Sequence, residues 1–192
     1  MPEIISLHEK LKSETAENHN VAEQRLTPYI SGLNSRDAYI RLLKAFYGFY
    51  NPAFTVISRY INNRQLPDIS QRNTSSFIEH DLAALSFTGP IQYCEDLPSI
   101  NDTASALGAL YVLEGSTLGG KYIKNMLLSN KSLNLTEEHT RFFNSYGPHT
   151  GSKWKSFLNV INLQEDHFKI IRTANETFER FGFWMHNSLH DE

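Results

Sequence analysis

The chain has 192 residues, with 18 Lys and Arg against 21 Asp and Glu and a formal net charge of -3. That length suits one domain spanning residues 1–192, large enough for a continuous core and a sizeable ligand. So mild an acidic balance lacks the basic face that nucleic acid binding requires, and 40% hydrophobic residues exclude a disordered chain. Cys94 is the sole cysteine, which excludes an internal disulfide and any cysteine-based zinc or iron–sulfur site. The start, Met1-Pro-Glu-Ile-Ile-Ser6, has no basic stretch followed by an apolar one, and no apolar run reaches membrane-spanning length. A cytoplasmic protein without membrane attachment is the expectation. Twelve Phe and nine Tyr either line a flat aromatic ligand or simply make a Phe-rich core.

Helical spacing dominates from the first residues onward. From Ile5 to Leu26, Leu7, Leu11, Thr15, His19, Ala22 and Leu26 recur at steps of three and four, which predicts one long helix closed by Pro28 and Ser31-Gly-Leu-Asn34. Ser35 is a candidate N-cap for a second helix, with Asp37 in its first turn. That helix carries Tyr39, Leu42, Leu43, Phe46, Tyr47 and Tyr50, and is expected to kink or restart at Pro52 before ending near Ile61. A loop at Pro67, a short helix over Ser75–Leu85 and a turn at Thr88-Gly-Pro90 follow.

Asn101 or Asp102 can cap the next helix, which runs through Leu107, Leu110, Tyr111, Leu113 and Leu118 to about Leu128. A short helix begins at Thr136-Glu-Glu138 and stops before Tyr146-Gly-Pro148. Two more cover roughly Gly151–Ile161 and Gln164–Leu189. No strand-like alternation and no internal repeat interrupts the pattern, so the expected fold class is all-α.

Two features stand out against this helical background. Gly115, Gly119 and Gly120 lie inside the helix after Asp102, where each costs about 1 kcal/mol relative to Ala. Gly115 and Gly119 share a face and leave a trough in which a flat ligand can lie against the backbone; close helix–helix packing explains the glycines equally well. His19 is the second feature, on the apolar face of the first helix with Glu23 one turn later. A carboxylate at that offset orients an imidazole for metal ligation, although a lone His on an apolar face is more often a satisfied core residue. His8 is the next candidate, off the stripe that carries His19.

Together these residues carry a resemblance. Leu11-Lys-Ser-Glu-Thr-Ala-Glu-Asn-His-Asn-Val-Ala-Glu23 is similar to the first helix of haem oxygenases, which holds the proximal ligand. Leu110-Tyr-Val-Leu-Glu-Gly-Ser-Thr-Leu-Gly-Gly120 resembles their distal helix, whose glycines let backbone pass over the haem. Tyr146-Gly-Pro-His-Thr-Gly-Ser-Lys-Trp154 and Thr177-Phe178, with Phe181 and Trp184, look like the bacterial branch, which includes enzymes paired with bacteriophytochromes.

The resemblance implies a helical bundle with haem, both cofactor and substrate, between the first helix and a Gly-kinked distal helix. It implies His19 as iron ligand, Lys12 and Tyr111 at the propionates, and Glu23, Gly120 and Phe178 in the binding site. Dioxygen would be activated beneath Gly115, Ser116 and Gly119, and cleavage would yield biliverdin, carbon monoxide and ferrous iron. Electrons would come from an external ferredoxin, flavodoxin or reductase, and a bacteriophytochrome could receive the biliverdin. The chain departs from the animal pattern at Ser116, where those enzymes carry Asp, and at Ala16 and Asn159, where they carry basic residues. A non-catalytic haem carrier or sensor of the same fold is the alternative. A di-iron carboxylate protein would need Glu-x-x-His pairs that the chain lacks, and a thiamin-processing relative would need a pocket cysteine where Cys94 is expected in a loop.

Overall fold

Ser35 and Asp102 begin two of the three longest helices as their side chains dictate. Ser35 Oγ accepts from the Ala38 N–H, opening a helix over Arg36–Ile57, and Asp102 forms a reciprocal capping box with Ser105 that opens Thr103–Ser129. The computed structural model describes residues 6–190. Within that range the order is α1 (Leu7–Glu14), α2 (Ala16–Ser31), α3 (Arg36–Ile57), α4 (Ser75–Ala84), α5 (Thr103–Ser129), α6 (Arg141–Asn144), α7 (Thr150–Ile161) and α8 (His167–His190). Short 3-10 turns lie at Ile69–Gln71, Glu137–His139 and Gly147–His149. The fold is all-α, as expected; among the described residues no helix is long and apolar enough to cross a membrane. Ile5, where the first helix was expected to start, lies outside the described residues.

Three boundaries differ from the sequence expectation, each for a local reason. The first helix is two, divided at Thr15, whose backbone shifts to φ -105°, ψ -1° while its hydroxyl bonds back to the Leu11 carbonyl at 2.7 Å. Such back-bonding bends helices without breaking the ladder, and the His19 N–H still reaches the Thr15 carbonyl at 2.9 Å. Pro28 sits inside α2 rather than ending it. Both Pro28 and Gln24, whose carbonyl the proline leaves without its helical donor, are exposed, so the lost bond falls on the solvent side of the helix. Pro52 likewise stays within a continuous α3. The carbonyl it frees belongs to Gly48, and the Cys94 N–H takes it up at 2.8 Å. Cys94 thus lies in a loop, as expected, but buried, and its thiol is pushed up by burial.

α8 is the shared backbone of the packing. α5, α2, α3 and α1 all lie against it, and its crossing with α5 is close enough that a Cβ on Gly108 would meet the Ile170 carbonyl oxygen at 2.4 Å. α3 buries Leu42, Leu43, Phe49, Ala53 and Ile57 completely or nearly so. Each such Leu, Ile or Phe side chain contributes roughly 1.5–3 kcal/mol from area removed from water. Phe46, Phe49, Tyr50, Phe142, Phe143 and Phe181 form a cluster of edge-to-face and tilted rings with centroid separations of 5.0 to 6.5 Å. The aromatic surplus is therefore core, and one side of that same cluster faces a cavity.

Candidate functional site

α2 and α5 both rest on α8, and the space between them is a cavity of about 840 Å³. His19, Glu23 and Ala22 of α2 line one wall; Gly115, Ser116 and Gly119 of α5 line another. Phe178 and Phe181 of α8, Phe46 and Tyr50 of α3, and Phe142 and Phe143 of α6 supply aromatic surface, while His8, Lys12, Tyr111 and Trp154 lie around it as well. The volume lies within the range of small-molecule and cofactor pockets. All the sequence-predicted site residues, Lys12, His19, Glu23, Tyr111, Gly115, Ser116, Gly119, Gly120 and Phe178, border this one space.

The His19 side chain is 49% exposed, and its Nε2 stands 3.7 Å from Glu23 Oε1, an ion-pair separation rather than a hydrogen bond. The Phe178 ring meets the imidazole edge-on at 5.4 Å. The imidazole carries its two nitrogens on different edges of the ring, so one can face Glu23 while the other faces the cavity. His19 lies on α2 as the stripe predicts, but half-exposed and not in the interior: its outer side belongs to the cavity.

The three glycines separate into two kinds. A Cβ on Gly119 would meet nothing within 4 Å, and one on Gly115 only the Trp154 ring, at 3.8 Å. Helix packing therefore does not demand a glycine at either position, and both leave backbone bare to the cavity. Gly120 is different: its Cβ would lie 2.4 Å from the Phe143 carbonyl oxygen, so α6 approaches α5 only because a hydrogen stands there. Close packing thus explains Gly120, while Gly115 and Gly119 border open space. The hydrogen-bonded helix runs unbroken past all three.

Ser116 Oγ donates to the Leu113 carbonyl at 2.7 Å and accepts from the Tyr50 hydroxyl at 2.8 Å. One lone pair of the serine oxygen is left for the cavity. Burial pushes the Tyr50 hydroxyl up to about 12, which keeps it a donor at neutral pH.

Behind the distal wall lies a charged group that sequence reasoning missed. Glu114, 1% exposed, accepts from Tyr146 Oη at 2.6 Å and pairs with the Arg72 guanidinium, itself 1% exposed. Arg72 Nε donates to Asp68 Oδ1 at 2.8 Å, Arg72 Nη2 to the Lys153 carbonyl at 3.1 Å, and Lys153 Nζ to Asp68 Oδ2 at 2.8 Å. Burial lowers the guanidinium's hold on its proton, but Glu114 and Asp68 outweigh that, so Arg72 stays charged. The Tyr146–Trp154 segment thus brackets the glycines: Tyr146 binds Glu114 just before them, and Trp154 lies over Gly115 and Tyr111. Only the oddity of Glu114 among Val112, Leu113 and Gly115 hinted at this.

Comparison with known proteins agrees with this geometry. The structure is similar to a haem oxygenase from Neisseria meningitidis solved with nitric oxide and carbon monoxide bound (TM-score 0.78, 19% identity, covering 98% of this chain and 96% of that one). It is similar to a haem oxygenase from Leptospira interrogans (TM-score 0.73, 20% identity, 95% and 100%) and to one from the cyanobacterium Synechocystis solved with haem (TM-score 0.71, 16% identity, 97% and 93%). No curated protein matches the chain by sequence. The sequence model of heme oxygenase matches residues 5–187, across every helix that walls the cavity. The chain belongs to the haem oxygenase family.

Proposed function

We propose that the chain cleaves haem oxidatively to biliverdin, carbon monoxide and ferrous iron, with haem bound between α2 and α5. The observation that carries this reading is the cavity itself, with a half-exposed imidazole on one wall and bare glycine backbone on the other. The residues present fit the group. Open space at Gly119 admits a flat ring system, the aromatic lining removes it from water, and Lys12 offers charge to a carboxylate.

His19 is the iron ligand in this account, with Glu23 and Phe178 holding the ring's orientation. Haem, once bound, supplies the iron on which dioxygen is reduced. The protein's part is positional. Gly115 and Gly119 keep side chains away from the oxygen side, and Ser116, held by Tyr50 and Leu113, presents a lone pair that fixes a water there. Gly120 serves the site indirectly, by letting α6 bring Phe143 against the cavity. The Arg72–Glu114–Tyr146 network anchors the helix that carries all of them.

Electrons come from a separate donor such as a ferredoxin, flavodoxin or reductase, and a bacteriophytochrome is the expected receiver of the biliverdin. A cytoplasmic site of action accords with the single cysteine. The test is aerobic incubation of the haem complex with a reductant, followed by chromatography of the pigment. Biliverdin is the expected product, and haem bands that persist unchanged would make the protein a carrier.

A further inference from the structure

His8 stands in the cavity wall with its Nδ1 buried and without a hydrogen-bond partner among the described residues. The residue is not loosely held. Its backbone N–H donates to Asn162 Oδ1 at 3.0 Å, and its ring lies edge-on to Trp154 at 5.8 Å and tilted against Tyr111 at 6.2 Å. A buried polar atom left unpaired is costly, and native structures rarely keep one without a use. Lys12 follows four residues later on the same helix face and, like the Tyr111 hydroxyl, has no protein partner among the described residues; both line the same space. Three side chains able to donate, half-buried His8, exposed Lys12 and buried Tyr111, therefore gather at one end of the cavity.

No carboxylate of the protein answers them there. Glu9 is engaged by the Ser6 N–H and hydroxyl at 2.8 and 2.9 Å, and the acidic residue among the described cavity lining is Glu23, at the His19 end. Eleven residues of helix, ~16 Å of rise, separate His8 from His19, so His8 meets the rim of a ligand centred on His19 and not its middle. Burial, and then the charge on Lys12, hold the His8 ring below its ordinary value of 6.5. At neutral pH it is an uncharged ring with one N–H to give, beside a lysine that supplies the charge.

We propose that His8 donates a hydrogen bond to a carboxylate on the haem rim and, with Lys12 and Tyr111, sets how the macrocycle is turned within its plane. The inference rests on the haem reading of the cavity and adds to it a residue that selects which meso carbon faces the oxygen.

The experiment is a pair of absorbance titrations, with ferric haem and with its dimethyl ester, which lacks the carboxylates. His8→Phe keeps a ring against Trp154 and removes the donor; it should weaken haem about three- to tenfold and leave the ester unchanged. His8→Gln, which keeps a donor, should recover most of that loss. Proton NMR of the cyanide complex should show the haem methyl resonances shifting in His8→Phe, as a turn of the macrocycle within its plane requires. Equal loss for haem and ester would reduce His8 to packing, and no loss for either would remove it from the site; both overturn the proposal. Lys12→Ala and Tyr111→Phe keep the two readings apart. Carboxylate-specific loss in those variants, with His8→Phe silent, would overturn the His8 assignment and leave the haem site standing. Failure of the unaltered protein to bind haem would overturn both.

Discussion

The Tyr50 hydroxyl donates to Ser116 Oγ at 2.8 Å and ties the middle of α3 to the glycine-bearing turn of α5. Ser116 spends its own proton on the Leu113 carbonyl, so it meets a cavity water only as an acceptor. Ser116→Ala should leave haem affinity nearly intact and slow the decay of the oxygenated complex about three- to tenfold, the worth of one hydrogen bond of about 0.5–1.5 kcal/mol. Tyr50→Phe should slow it to a similar degree, and the double variant little further, since both remove one shared contact. Single-turnover spectroscopy decides. An unchanged rate in Ser116→Ala would mean that backbone and water alone order the oxygen side.

Gly119 and Gly120 should respond in opposite ways. Gly119→Leu places a side chain in open cavity, so the folded protein should keep its thermal stability and lose oxygen binding and turnover. Gly120→Ala forces a methyl against the Phe143 carbonyl oxygen and should cost about 1–3 kcal/mol of stability. Chemical denaturation together with carbon monoxide binding separates the two. Normal turnover in Gly119→Leu would show that the oxygen side does not need bare backbone at that position.

Arg72→Met would leave the buried Glu114 carboxyl without its cation, with Tyr146 as its remaining side-chain donor. Loss of one partner from such a pair costs about 3–5 kcal/mol, which urea denaturation measures. A cost below about 1 kcal/mol would show that water reaches the carboxylate.

Asp81 gives a stability that depends on pH. It is fully buried and accepts the Arg141 and Phe142 N–H groups at 2.9 Å each, capping α6. Burial outweighs those two bonds and pushes the carboxyl up to about 6, from an ordinary 3.8. The folded state therefore binds the proton more tightly than the unfolded chain. Asp81's contribution is fullest below about pH 4 and is lost as pH rises to about 6. Stability curves of the unaltered protein and Asp81→Asn should diverge across that window and run parallel above it. Parallel curves throughout would mean that the two amide donors win.

Helices were legible where a side chain announced them, as with the caps at Ser35 and Asp102 and the periodic stripe through Leu7, Leu11, Thr15 and Ala22. Proline misled at residues 28 and 52 because its effect depends on what happens to the freed carbonyl. At Gly48 that answer comes from Cys94, 46 positions away in the chain. The site divides similarly. His19, Gly115 and Gly119 carry local signals, an imidazole with a carboxylate at i+4 and a run of glycines in a helix. Arg72 and Glu114 are 42 residues apart, and nothing in the spacing of either points to the other. His8 fell off the buried stripe, yet three turns of helix bring it to the same cavity as His19.

The central claim, haem cleavage with His19 on the iron, is tested most directly by the carbon monoxide released per haem consumed. The unaltered protein, given haem, oxygen and a reductant, should release one carbon monoxide for each haem lost. His19→Ala should still bind some haem through the apolar cavity and the carboxylate contacts, release none, and gain a ligand only when imidazole is added. Haem lost without carbon monoxide in the unaltered protein, or full release from His19→Ala with an unchanged Soret band, would contradict the account.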